Sequence, residues 1–159
     1  MWHNLNMRIL KVLSIIFFIN VEAIPSSEHP FAEESFTEEH IQEVADMYSQ
    51  YRSIAEPCQN YVSIDQYQEY TKRWMDLYLA YEKINKNDYA ELKNRAWEKS
   101  TLPNEVKLLM QMLPFSSNYE ATQACYEMVQ GMTSFMRGVV INLENQYQTK
   151  KSSKTKREF

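Results

Sequence analysis

The stretch from Asn118 to Tyr147 constrains this chain most, because its apolar residues keep helical spacing from end to end. Thr122, Cys125, Val129, Met132, Met136, Val139 and Leu143 recur at alternating intervals of three and four. Successive residues of an α-helix rotate by about 100°, so these positions fall on one side. Ser117 followed by Glu120 supplies a capping-box start. At about 1.5 Å per residue such a helix spans most of a small domain. The remaining segments are shorter and must be laid against it.

The first residues have a different pattern. Arg8 and Lys11 precede an apolar run from Val12 to Ile19, and Val21 and Ala23 place small residues where a signal peptidase reads. Residues 1–23 are therefore expected to be a secretory signal peptide, with the cut before Ile24. The run is far shorter than the roughly 20 apolar residues a membrane span needs. No later window approaches that length, so the chain is not expected to be an integral membrane protein. Residues 24–35 carry two prolines and several acidic groups and read as a mobile lead-in.

Charge narrows the partners. Residues 24–149 hold ten basic and 19 acidic side chains, whereas residues 150–159 hold five basic and one acidic. An acidic body argues against nucleic acid, which demands a basic face. The tail reads as disordered. It is either simply solvated or a weak tether for anionic surfaces, with a basic cleavage site at Lys154-Thr155-Lys156-Arg157. There is no N-glycosylation sequon. Cys58 and Cys125 are the only cysteines. In an oxidising compartment they are expected to pair within one chain rather than stay as free thiols or bridge two chains.

Between residues 36 and 149 the pattern predicts one helical domain. Ser35 with Glu38 opens a helix over about 37–55 whose stripe is Ile41, Val44, Ala45, Tyr48, Tyr51 and Ala55, and Pro57 should stop it. Cys58 would then lie in the following loop. Ser63 with Gln66 starts a second helix to about Lys86, strongly amphipathic, with Ile64, Tyr67, Tyr70, Trp74, Leu77, Tyr78, Tyr81 and Ile84 on its apolar arc. Asn87 caps a third helix over about 88–99, and Pro103 opens a fourth that Pro114 ends. No alternating run or hairpin signal occurs. The expected fold class is all-α, a small secreted bundle of about five helices organised around the long C-terminal one and carrying one disulfide.

The chain has only two glycines, Gly131 and Gly138, and both lie in the long helix, on a line with Ala124. Each costs about 1 kcal/mol of helix propensity. A neighbour crossing closely on that side would offset the cost, as would a helix–helix dimer contact. The first fits a monomer and is the simpler expectation.

Catalytic groups are scarce. His29 and His40 are the histidines beyond the signal, and His40 with Glu43 offers only two ligands where a closed zinc site needs four. No nucleophile elbow, phosphate loop or HExxH occurs. We therefore expect no enzyme activity, no cofactor and no metal. What a plain bundle does not require is 11 tyrosines. Tyr67, Tyr70, Trp74, Tyr78 and Tyr81 share one side of the second helix, with Met132 on the long helix as a facing candidate. Three readings fit. They are a core whose hydroxyls reach water, an apolar pocket for a lipid-like small molecule, or a face for an extracellular protein. The first is the simplest account of the arc; of the two functional readings the protein face is preferred, because a pocket needs a gap that nothing in the stripes reveals.

Overall fold

The computed structural model describes residues 35–155. They form five α-helices: α1 Glu38–Cys58, α2 Asp65–Tyr81, α3 Tyr89–Lys99, α4 Asn104–Met112 and α5 Asn118–Thr155, with short 3-10 turns at Lys86–Asp88 and Leu113–Phe115. No strand occurs among the described residues. The all-α bundle around a long C-terminal helix is as expected. The segments expected to be a signal peptide (1–23) and a lead-in (through residue 34), and the end of the tail at 156–159, lie outside the described residues.

α5 begins at its capping box, where Glu120 N–H donates to Ser117 Oγ at 3.2 Å and Ser117 N–H to the Glu120 carboxylate at 3.1 Å. Its buried line is Ala121, Cys125, Met128, Val129, Met132, Met136, Val140 and Leu143. Val140 replaces the expected Val139 because a 3.6-residue turn drifts away from a strict seven-residue repeat. The helix also runs past the expected end at Tyr147, so residues 150–155 are helical rather than a loose tail. Lys150 supplies a physical reason. Its ammonium lies 3.9 Å above the Tyr81 ring and donates to the Tyr81 carbonyl at 3.3 Å. A cation at the open C-terminus of α2 meets both the orphan carbonyls and the negative end of the dipole.

Three boundaries differ from the sequence expectation, each for a local reason. α1 is capped by Thr37, not Ser35, in a box whose other member is His40. Pro57 sits inside the last turn of α1 instead of ending it, and Cys58 is the last helical residue. So late in a helix, proline removes a single bond, and burial of Pro57 and Cys58 against α5 offsets that loss. α2 stops at Tyr81, five residues early. Lys83 adopts a left-handed conformation (φ 58°), and Ile84 N–H reaches back to the Leu79 carbonyl while Lys83 N–H bonds that of Ala80. This is a Schellman ending with lysine where glycine is usual. It turns Ile84 into the core beside Leu79. At the start of α2 the Ser63–Gln66 box does not form; Ser63 Oγ accepts from Asp65 N–H instead.

Two apolar clusters make up the core. One gathers the C-terminal half of α1, the start of α2 and the first half of α5, including Met47, Ile54, Tyr67, Met128 and Met136. The other gathers the start of α1, the end of α2, α3 and the far part of α5, including Val44, Tyr78, Leu79, Leu92 and Leu143. α1 therefore runs antiparallel to α5, and α2 runs parallel to it. The Cys58–Cys125 disulfide closes the first end, with Cα atoms 5.2 Å apart, within the ordinary range for such bridges. The segment after α3 is tied back to α1. Arg52 donates to the Ser100 carbonyl and hydroxyl at 3.0 Å, and Thr101 N–H donates to Ser49 Oγ at 2.9 Å.

Candidate functional site

The aromatic side of α2 splits on folding. Tyr67 and Tyr78 are fully buried, as is Met132 on α5, whereas Tyr70, Trp74 and Tyr81 are half-buried. Trp74 stacks on Tyr78 with ring centres 4.9 Å apart, and Tyr51 of α1 stacks on Tyr67 at 5.9 Å. The helical spacing that put these rings on one arc also turns them inward, where they fill the seam between α1, α2 and α5. The hydroxyls of Tyr67 and Tyr78 do not reach water as a rim position would allow. That of Tyr67 is buried without a hydrogen-bond partner, and that of Tyr78 is buried toward the Glu43 carboxylate. Burial pushes both phenols well above their usual pKa, and the carboxylates of Glu43, Glu82 and Glu39 push Tyr78 further. They stay neutral at any physiological pH.

A concavity of about 350 Å³ lies on the outer side of α2, lined by Glu69, Lys72, Arg73, Asp76 and Leu77. Four of those five residues are charged and turn mostly their aliphatic stems to a shallow hollow that is open to solvent, not the enclosed cavity that a lipid-like ligand needs. Arg73 is also committed to a salt bridge with Glu144 on α5. Among the described residues, no group of three His, Cys, Asp or Glu could hold a metal ion. No helix among them is long and apolar enough to cross a membrane.

The exposed large apolar side chains lie elsewhere, mostly at the corner where α4 meets α5. Phe115 in the connecting turn is 92% exposed, Tyr119 in the first turn of α5 is 72% exposed, and Leu108 on the outer side of α4 is 55% exposed. Tyr126 follows seven residues after Tyr119, on the same side of α5, at 51%. Pro114 helps to create this corner. It sits in the 3-10 turn that ends α4, and Leu113, its neighbour, points into the core while Phe115 points out. None of these four residues was marked as a site by the sequence. Their signal was weak, since a single exposed ring leaves no periodic trace and only the break between α4 and α5 hinted at a corner.

The open side of α5 is a further departure. A Cβ added at Gly131 or Gly138 would meet nothing within 4 Å. No described residue crosses closely there, so the expected packing account of the two glycines is not met among the described residues.

No family model matches the chain, and neither the curated proteins nor the solved structures compared with it give a match.

Proposed function

We propose that the chain is a secreted, non-enzymatic protein-binding module that acts on an extracellular partner through the helical surface at the α4–α5 corner. The observation that carries this reading is the exposure of Phe115 and Tyr119, 92% and 72%, on a chain that buries other aromatics completely. Large aromatic rings left in water favour association, because burying them against a partner removes apolar area at little cost in side-chain freedom. Secretion is supported by the charged and apolar pattern of residues 1–23 and by the disulfide, which belongs to an oxidising compartment. The scarcity of nucleophiles and bases supports the non-enzymatic part. Both cysteines are bridged, and the buried tyrosines are held neutral.

The test is an affinity capture from extracellular fluid with the wild-type domain and with a Phe115→Ala, Tyr119→Ala double variant. A partner retained by the first and lost by the second, with unchanged thermal melting, would uphold the reading. A partner bound equally by both would place the interface elsewhere. A stoichiometric lipid extracted from the purified protein would replace this reading with that of a carrier.

A further inference from the structure

The outer side of α5 is built unlike the other solvent-facing surfaces of the bundle. The exposed side of α3, a helix of only 11 residues, carries Glu91, Arg95, Glu98 and Lys99. From Tyr119 to Asn145, by contrast, the exposed positions of α5 hold just two charges, Glu127 and Arg137. Around them stand amides, small residues, Tyr126 at 51% exposure and Ile141 at 47%. Neither charge has an ion-pair partner among the described residues. Glu127 accepts from Gln123 Nε2 at 2.9 Å, one turn back on the same helix. The two charges are ten residues apart, which separates them by about 15 Å along the axis and keeps them within about a quarter turn of each other.

We propose that a second copy of this chain docks along the outer side of α5 as an antiparallel two-fold dimer, with Glu127 of each copy paired to Arg137 of the other. A two-fold contact must be complementary to itself. Turning one α5 end for end about a point level with Met132, midway between the charges, sets Glu127 opposite Arg137 twice over. The parallel arrangement sets Glu127 against Glu127 and Arg137 against Arg137, so like charges select against it. In the antiparallel register Tyr126, next to Glu127 in the chain, also comes beside the incoming guanidinium, where its ring offers a cation–π contact. The dipoles of the two helices oppose each other and add attraction. Gly138 follows Arg137 and has open space where a side chain would stand, so nothing there holds the second helix away.

The size of the face sets the strength. A strip from Tyr119 to Asn145 is about 39 Å long and about 11 Å wide, or roughly 430 Å² on each copy. Both copies together bury about 900 Å², below the roughly 1,600 Å² of a standard stable interface. The dimer is therefore weak and reversible, formed at high local concentration.

Sedimentation equilibrium of the purified, disulfide-intact chain, from low micromolar to millimolar concentration, tests this. The protein should pass from monomer to dimer with a Kd on the order of 10–100 μM, and high salt should weaken the dimer by screening its exposed pairs. Arg137→Glu and Glu127→Arg should each weaken it about tenfold or more, because each turns two attractions into two repulsions. The double variant Glu127→Arg, Arg137→Glu exchanges the signs of both pairs and should return to within about fivefold of the unmodified protein. All three variants change exposed side chains, so melting at low concentration should not move. They leave Phe115 and Tyr119 in place, so loss of self-association and loss of a partner captured at the α4–α5 corner are separate results. A chain that stays monomeric throughout would overturn the proposal. So would single variants that dimerise as well as the unmodified protein, or a double variant no better than either single one.

Discussion

The two ends of this bundle are held by different means. At one end α1 and α5 are covalently joined through Cys58 and Cys125, and the surrounding cluster is Met-rich and continuous from Met47 to Met136. At the other end no covalent link is present; packing around Val44, Leu79, Leu92 and Leu143 is joined by ion pairs between α1, α2 and α3 and by the Lys150 contact to Tyr81. Such exposed pairs contribute little, because water screens them and both side chains lose freedom in forming them. α3 buries only Leu92 and Ala96. The difference puts the covalent clamp where the longest helix meets α1 and leaves the distal end to packing and to exposed polar contacts.

The comparison can be broken outright at the clamped end. Met132→Asp places a carboxylate among fully buried neighbours, which costs several kcal/mol, comparable with the whole stability of a small domain. Thermal and denaturant melts should show an unfolded or barely folded protein. Removing the bridge by a Cys58→Ala, Cys125→Ala pair should cost about 2–4 kcal/mol for a 67-residue separation. That loss should appear as a lower denaturant midpoint with native helicity retained.

Smaller changes sharpen the contrast. Tyr67→Phe deletes a buried hydroxyl that has no partner, so it should leave stability unchanged or raise it by about 1 kcal/mol. Two backbone swaps should each gain about 0.5–1 kcal/mol in a monomer. Gly138→Ala fills open space on α5, and Lys83→Gly relieves the left-handed residue that ends α2. If Gly138→Ala instead weakened self-association measured by sedimentation, the glycine face would be a dimer contact.

The smallest expected effect belongs to Glu82. Its folded pKa is raised above the usual carboxylate value of 4.5, chiefly by burial. The folded state therefore binds its proton before the unfolded state does. Stability from this group is present below 4.5 and lost as pH rises through the folded value. Denaturant midpoints of the Glu82→Gln variant should lose the part of the rise in stability that the unmodified protein gains from this group as pH falls toward 4.5.

Much of this was legible in the chain. The 3.6-residue stripes marked five helices in order, and compartment logic paired Cys58 with Cys125. The rest depended on tertiary terms that periodicity does not carry. Pro57 reads as a stop, yet burial beside the disulfide keeps it helical. Lys83 has no left-handed preference, but Ile84 gains enough by entering the core to impose it. The aromatic arc of α2 was visible, whereas its division into buried Tyr67 and Tyr78 and half-buried Tyr70, Trp74 and Tyr81 depends on how α1 and α5 flank it. The glycines misled because propensity predicts a cost without saying what offsets it. Exposed Phe115 and Tyr119 were unreadable for the opposite reason, since solvent leaves no pattern.

Native-state hydrogen exchange at neutral pH tests the central claim, that the bundle is anchored at its disulfide end and opens from the other. Amides from Val129 to Met136 of α5 and near Ile54 of α1 should exchange only by global unfolding, while those of α3 and the first turn of α1 should open at clearly lower free energy. After replacement of both cysteines the gap between the two ends should narrow. Amides of α3 as strongly protected as those around Met132, or a gap unchanged by loss of the bridge, would contradict the account.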